Sequence, residues 1–320
     1  MTKPGRIDTH HHIVPPQYRD WLLSHGETAG GLPVPRWDVD TDLAFMDSQG
    51  IQAAMLSVST PGTHLGDDAE ARTWARAVND YAAEIVKSSP DRYGFFATLP
   101  LPDVDGALDE AARALDELGA DGIVLLANHR GTYLGDPAFE PLMAELGRRG
   151  TTVFIHPADL PGPLVPGVPP YAADFLLDTT RAAMNLVLSG TTASHPDIRF
   201  ILSHGGGFVP YAAHRIALSL AAHQQVNGVQ PVMDHETVLA ELRRFYFDTA
   251  LSANPDTLPT LLTFADPARI TFGSDFPYAT PEISGYFTQQ LDAYPLDNSQ
   301  RTAINHGNAQ ALFPRLRNNP

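Results

Sequence analysis

Eight short runs rich in β-branched and aromatic residues alternate with stretches of helical periodicity, and this alternation limits the chain's folding options more than any other feature. The runs are Arg6–His12, Ile51–Ser59, Tyr93–Pro100, Gly122–Ala127, Thr152–Pro157, Ile198–Gly206, Phe245–Ala250 and Ile270–Pro277. Between them the spacing predicts helices at Asp68–Ser88, Asp103–Leu118, Pro137–Arg149, Tyr171–Ser194, Val209–Ala222, Asn254–Phe264, Thr280–Ala293 and Ser299–Phe313. Strand alternating with helix implies parallel pairing, because a parallel return needs a long crossover. Eight repeats in 320 residues fit a closed (β/α)8 barrel of the α/β class better than an open doubly wound sheet. The open sheet lacks its usual mark: the turn after the first run reads His10-His11-His12-Ile13-Val14-Pro15-Pro16 and has no Gly-x-Gly-x-x-Gly. There is no phosphate-binding loop of the Walker type, and the run Gly205-Gly206-Gly207 alone points to no ligand.

Two stretches, Gly26–Trp37 and the proline-rich Pro157–Tyr171, follow strand ends and read as insertions over the face where barrels build their sites. Neither has the composition of a linker, so residues 1–320 are expected to form a single barrel domain.

Charge narrows the partners. Lys and Arg total 21 against 37 Asp and Glu, a formal net charge of −16. A field of that sign repels phosphate backbones and acidic membrane surfaces, so neither nucleic acid nor membrane is an expected partner. The absence of cysteine removes disulfides, thiolate nucleophiles and Cys-ligated metals. With no apolar core of a signal peptide near Met1 and no long apolar run, the expected location is the cytoplasm.

The chemistry sits at strand ends. Side chains alternate along a strand, so His10 and His12 share one face, with Asp8 expected below them and His11 aimed toward the helical layer. Two imidazoles so placed can hold one metal ion; the plain alternative is a polar turn in a chain of 13 histidines. His156, His204 and Asp275 each close an apolar run at the C-terminal end of a strand, and on a barrel these ends converge on one rim. His195 falls at the opposite end and reads as structural, whereas Asp248 also closes a strand and its role stays ambiguous, orienting a ligand being one reading.

These residues, with the segments His156-Pro157, Ser203-His204-Gly205-Gly206-Gly207, Phe245–Ala250, Gly273–Pro277 and Gly307-Asn308-Ala309, resemble the amidohydrolase superfamily over nearly the whole chain. The resemblance is to its branch of non-oxidative decarboxylases related to aminocarboxymuconate semialdehyde decarboxylase. Leu56–Gly62, Tyr93–Ala97 and Tyr133–Pro137 look closest to the 6-methylsalicylate and other 2-hydroxybenzoate decarboxylases. It implies a metal held by His10, His12, His156 and Asp275, with His204 and Asp275 as catalytic groups. Nitrogen and carboxylate ligands suit Zn²⁺, and Mn²⁺ also fits. Dinuclear relatives use a carbamylated lysine on a barrel strand; here Lys3 and Lys87 are the only lysines and neither lies on a strand, so one ion is expected.

The resemblance further implies that Arg215 reaches the active site of a neighbouring subunit to hold a substrate carboxylate, which makes the protein a homodimer or a dimer-based oligomer. A second substrate arginine of the semialdehyde decarboxylases has no match, its place falling near Gly30 with Arg36 the nearest candidate. That departure favours a small aromatic substrate with one carboxylate. Trp37, His64, Phe276 and Tyr278 are the candidates for its pocket, Tyr278 matching a ring-lining position of resorcylate decarboxylases. The expected reaction is decarboxylation of a 2-hydroxybenzoate-like acid. The alternative is a metal-dependent hydrolase of an amide, lactone or carbon–carbon bond, and a third reading is a non-catalytic scaffold.

Overall fold

A computed structural model describes residues 5–228 and 233–318; Lys3 lies outside them. Eight parallel strands run in the order β1 (Arg6–His12), β2 (Ile51–Ser57), β3 (Tyr93–Thr98), β4 (Gly122–Leu126), β5 (Thr152–His156), β6 (Arg199–Leu202), β7 (Tyr246–Asp248) and β8 (Ile270–Thr271). Each pairs with the next in sequence order. Bridges Asp8 to Phe272 and His11 to Phe276 then tie β8 back to β1, so the sheet closes into the (β/α)8 barrel that the alternation predicts.

The closing seam departs from a regular ladder. The sequence predicts a strand over Ile270–Pro277, but β8 is regular for two residues only. The backbone N–H groups of Ser274 and Asp275 both turn onto the His10 carbonyl, at 3.3 and 2.8 Å. Asp275 takes a left-handed φ of 60° to do so. On β1 the register slips between Asp8 and His11. Asp8 therefore does not lie beneath His10 and His12 as strict alternation implies: its Oδ2 meets His11 Nδ1 at 3.0 Å and its Oδ1 accepts from the backbone of His10 and Ser274.

Helices start where aspartates cap them. Asp38, Asp67 and Asp103 accept from the N–H groups of Thr41, Glu70 and Gly106, each cap contributing about 1 kcal/mol. Helices Pro16–Ser24, Val39–Gln49 and His235–Leu242 were not legible from periodicity. The stretch read as one helix, Ser299–Phe313, is broken by a wide turn at Ala303–Gly307, beyond which Asn308 Nδ2 donates to the carbonyls of Pro267 and Ile270. Among the described residues no helix is long and apolar enough to cross a membrane.

Two apolar layers hold the barrel. Inside it Ile7, Met55, Phe96, Val124, Phe154 and Ile201 interdigitate, and Leu312 and Phe313 of the C-terminal segment pack onto the same cluster. Outside it a larger cluster fills the space between strands and helices. The mouth is covered by the two insertions and by helix Pro170–Leu188, which presses on the turn after β6. A Cβ on Gly207, whose φ is 61°, would stand 2.2 Å from the Leu176 carbonyl oxygen. Gly207→Ala is expected to cost about 1–3 kcal/mol, read as a lower urea midpoint at unchanged slope. An unchanged midpoint would mean that the helix is free to move away.

Candidate metal centre

Strand alternation brings His10 and His12 to the mouth from β1, and β5 delivers His156 beside them. Nε2 of His10 lies 3.1 Å from Nε2 of His12, and Asp275 Oδ1 is 3.2 and 3.1 Å from these two nitrogens. One ligand atom from each of His10, His12, His156 and Asp275 falls within a sphere of mutual distances under 4.8 Å, and all four residues are buried. No second such group occurs among the described residues.

The other ring nitrogens explain how the imidazoles are aimed. His12 Nδ1 faces the Ser57 carbonyl at 3.2 Å and His156 Nδ1 the Pro157 carbonyl at 2.8 Å. A carbonyl oxygen only accepts, so each Nδ1 carries the proton and each Nε2 presents a lone pair. His10 Nδ1 donates to Asp248 Oδ2 at 2.7 Å. Asp248 also accepts from the backbone N–H groups of His204 and Ala250, so it joins β1 to the β6 turn. Its role, ambiguous in the sequence, is to orient His10.

Charge tests whether a cation fits. Asp248 and Asp275 are buried, and among the described residues neither pairs with a Lys or Arg. Burial lowers the His10 pKa, but these two carboxylates outweigh it and raise it to about 10. Burial lowers His12 and, well below the usual range, His156, each also opposed by its neighbouring histidines. Burial opposes ionisation of Asp275 as well, yet His10, His12 and His204 hold its carboxyl well below the usual range. The site thus combines two neutral imidazoles, a carboxylate and one imidazole whose proton a divalent ion displaces. The donor set fits such an ion.

His204 stands beside this group. Its Nε2 is 3.4 Å from Asp275 Oδ2, its Nδ1 is buried without a partner, and its φ of 53° is strained for a non-glycine residue. Over the four ligands opens a cavity of about 710 Å³ whose lining includes His156, His204, Asp275 and Tyr278, with Phe175 and Phe208 as apolar walls. Tyr278 lies edge-on to His12 at 5.2 Å; burial and the Asp275 carboxylate push its hydroxyl far above the usual phenol range, so it stays neutral.

Three expected pocket residues, and the candidate substrate arginine Arg36, are placed elsewhere. Phe276 alternates away from Asp275 and stacks on Phe45 at 3.9 Å in the helical layer. Trp37 is buried there too, donating to Asp42 at 2.8 Å, and Arg36 is exposed to solvent. His64 lines a separate hollow of about 370 Å³ in the same mouth and pairs with Asp68. His195 meets Glu140 at 2.9 Å, away from the mouth. Arg215 is exposed on helix Val209–Asn227 and is not among the residues lining the cavity over the metal ligands. The missed residue is Phe175. Gly30 has φ 59°, and a Cβ there would stand 2.0 Å from Phe175 Cζ, so this ring fills the space beside Gly30 on the cavity wall. Its signal was the helix that starts directly after a rim insertion, whose first turns face the mouth.

An eight-stranded parallel barrel with three imidazoles and a carboxylate converging at its C-terminal rim defines the class of metal-dependent barrel enzymes. The chain belongs to the amidohydrolase family, whose family model matches residues 7–315. The 6-methylsalicylic acid decarboxylase of Penicillium expansum is 39% identical over 327 residues, spanning 98% of this chain and 97% of that protein. A crystal structure of an amidohydrolase II superposes with a TM-score of 0.89 at 32% identity, covering 97% of this chain and all (100%) of that one. The dihydroxybenzoic acid decarboxylase of Polaromonas sp. JS666, solved with manganese and 2-nitroresorcinol, shares the fold with a TM-score of 0.80 at 23% identity, covering 98% of each chain.

Asp248→Asn replaces the acceptor of the His10 Nδ1 proton and is expected to weaken divalent-metal affinity about 10–100-fold. Competition with a chromophoric chelator measures it; wild-type affinity would remove Asp248 from this role.

Proposed function

We propose that the chain is a metal-dependent, non-oxidative decarboxylase of a 2-hydroxybenzoate-like acid, with 6-methylsalicylate the first substrate to test. The observation that carries the proposal is the apolar cavity opening directly onto His204, Asp275 and the convergent imidazoles. The decarboxylase from Penicillium expansum, similar over its whole length, supports it. A divalent ion held by His10, His12, His156 and Asp275 supplies Lewis acidity toward the anionic substrate. Zn²⁺ suits this donor set, and the manganese of the Polaromonas enzyme makes Mn²⁺ the other ion to load.

The chain's own groups do the rest. Phe175 and Phe208 flank an aromatic ring and exclude water from it. An entering carboxylate adds negative charge beside Asp275 and raises its affinity for a proton. That proton passes from His204 Nε2, 3.4 Å away, to Asp275 Oδ2 and on to the ring carbon that bears the carboxylate. A carbon–hydrogen bond forms there, the carbon–carbon bond to the carboxylate breaks, and its electron pair restores aromaticity as CO₂ leaves. One proton is consumed per turnover.

The cavity lining holds no Lys or Arg. Arg215 supplies the missing charge from a second copy. Among the described residues it forms no ion pair, and it shares a helix face with the exposed Tyr211 and Leu218. The protein is accordingly a homodimer acting in the cytoplasm on a small aromatic carboxylate.

In D₂O, 6-methylsalicylate is expected to release CO₂ and to carry one deuterium at the carbon that lost it. Cleavage of a lactone or amide without CO₂ would transfer the site to the hydrolase reading. His204→Ala and Asp275→Asn should each slow CO₂ release by about 100-fold or more. Mixing inactive Arg215→Ala and His204→Ala chains under subunit exchange should restore about a quarter of wild-type activity, because half the dimers then contain one intact site. No recovery on mixing would place Arg215 in its own chain's chemistry or outside it.

A further inference from the structure

At the N-terminal end of the barrel, opposite the metal centre, lies a hollow of about 310 Å³ lined by Arg199, Arg244, Arg269, Thr192 and Tyr246 among others. Arg199 opens β6, Arg244 stands two residues before β7, and Arg269 directly precedes β8. Three starts of adjacent strands thus bring three guanidinium groups to one place.

Each guanidinium is held by a backbone carbonyl. Arg199 Nη2 donates to Gly150 O at 2.6 Å, Arg244 Nη2 to Pro196 O at 3.1 Å, and Arg269 Nη1 to Arg244 O at 2.6 Å. Arg269 is further fixed over the Tyr246 ring at 4.9 Å. These anchors leave donors of each fork unused, although Arg244 Nη1 also reaches Glu241 at 3.4 Å.

Counter-charge is short. Elsewhere in this acidic chain the arginines Arg72, Arg113 and Arg149 sit in close pairs with carboxylates, at 2.5–2.7 Å. Around the hollow, Arg244 meets Glu241 at a loose 3.4 Å, no ion pair is formed by Arg199 or Arg269 among the described residues, and Asp197 is exposed at the lip. Two donors are also stranded: Arg199 Nε and Thr192 Oγ1 are buried without a hydrogen-bond partner, and Thr192 is only 4% exposed. Stranding a charged donor away from water costs about 1–3 kcal/mol or more, so the hollow is built for an acceptor.

We propose that this hollow binds a phosphate group, free or as a phosphomonoester. Its oxygens accept in pairs from planar guanidinium forks, and a threonine hydroxyl completes the set of donors. The occupant joins the starts of β6, β7 and β8, whose other ends lead to His204, Asp248 and Asp275. Its binding is therefore expected to raise stability. The proposal stands independently of the reaction at the metal centre.

The test is calorimetric titration and thermal melting of the metal-loaded protein with inorganic phosphate and with glycerol 3-phosphate, against chloride at matched ionic strength. The expected result is saturable binding by one of the two, the tighter naming the source, with a melting midpoint that rises with its concentration. Arg269→Gln is expected to weaken this binding at least ten-fold. Thr192→Val, which keeps the side-chain shape, should weaken it at least three-fold, and His156→Ala should leave it unchanged. A midpoint no higher than in chloride, wild-type affinity in both Arg269→Gln and Thr192→Val, or binding lost in His156→Ala would overturn the proposal.

Discussion

Buried negative charge without a resident base is the constraint on which the site depends. Asp248 and Asp275 sit at the mouth of an apolar barrel where ionised carboxylates are costly, and among the described residues neither pairs with a Lys or Arg. The side chains that bond to them are imidazoles. The arrangement balances only with a cation at the convergence of His10, His12, His156 and Asp275, either a proton on His10 or a divalent ion. Much of the local backbone serves this end. The carbonyls of Ser57 and Pro157 fix the tautomers of His12 and His156, and Asp248 fixes His10. His204 and Asp275 are held in left-handed conformations that non-glycine residues seldom adopt.

The same constraint reaches the substrate. A chain with a net charge of −16 repels anions at long range, and the cavity wall is apolar. An aromatic acid entering it would meet the cation at the rim as its counter-charge. Phe175 occupies the space above Gly30 on the cavity wall, so that part of the lining is apolar. Behind the ligands a second network stabilises the seam. His11 lies between Asp8 and Asp42; burial lowers its pKa, but Asp42 and Asp8 outweigh this and raise it to about 10. Trp37 and Tyr93 donate to the same Asp42.

The sequence was most legible where two signals coincided. A polar residue ending an apolar β run marks a strand's C-terminal end, and barrel topology gathers such ends, so the sequence pointed to His10, His12, His156, His204 and Asp275, which the structure brings together. Legibility failed where neighbours in sequence were taken for neighbours in space. Phe276 adjoins Asp275 and Trp37 lies in a rim insertion, yet both side chains enter the helical layer. Asp8 was misplaced because a register slip on β1 breaks the two-residue period. Phe175 was missed because helix periodicity reports which face is buried, not that a first turn hangs over the barrel mouth. Helices Pro16–Ser24 and Val39–Gln49 flank a Gly- and Pro-rich insertion whose composition hid them.

The central claim is that one cation, held by four named side chains, organises the mouth of this barrel. Anomalous diffraction from crystals loaded with manganese tests it most directly. One peak per chain is expected, within coordination distance of Nε2 of His10, His12 and His156 and of the Asp275 carboxylate. No peak at that position, or a second ion beside the first, would contradict it.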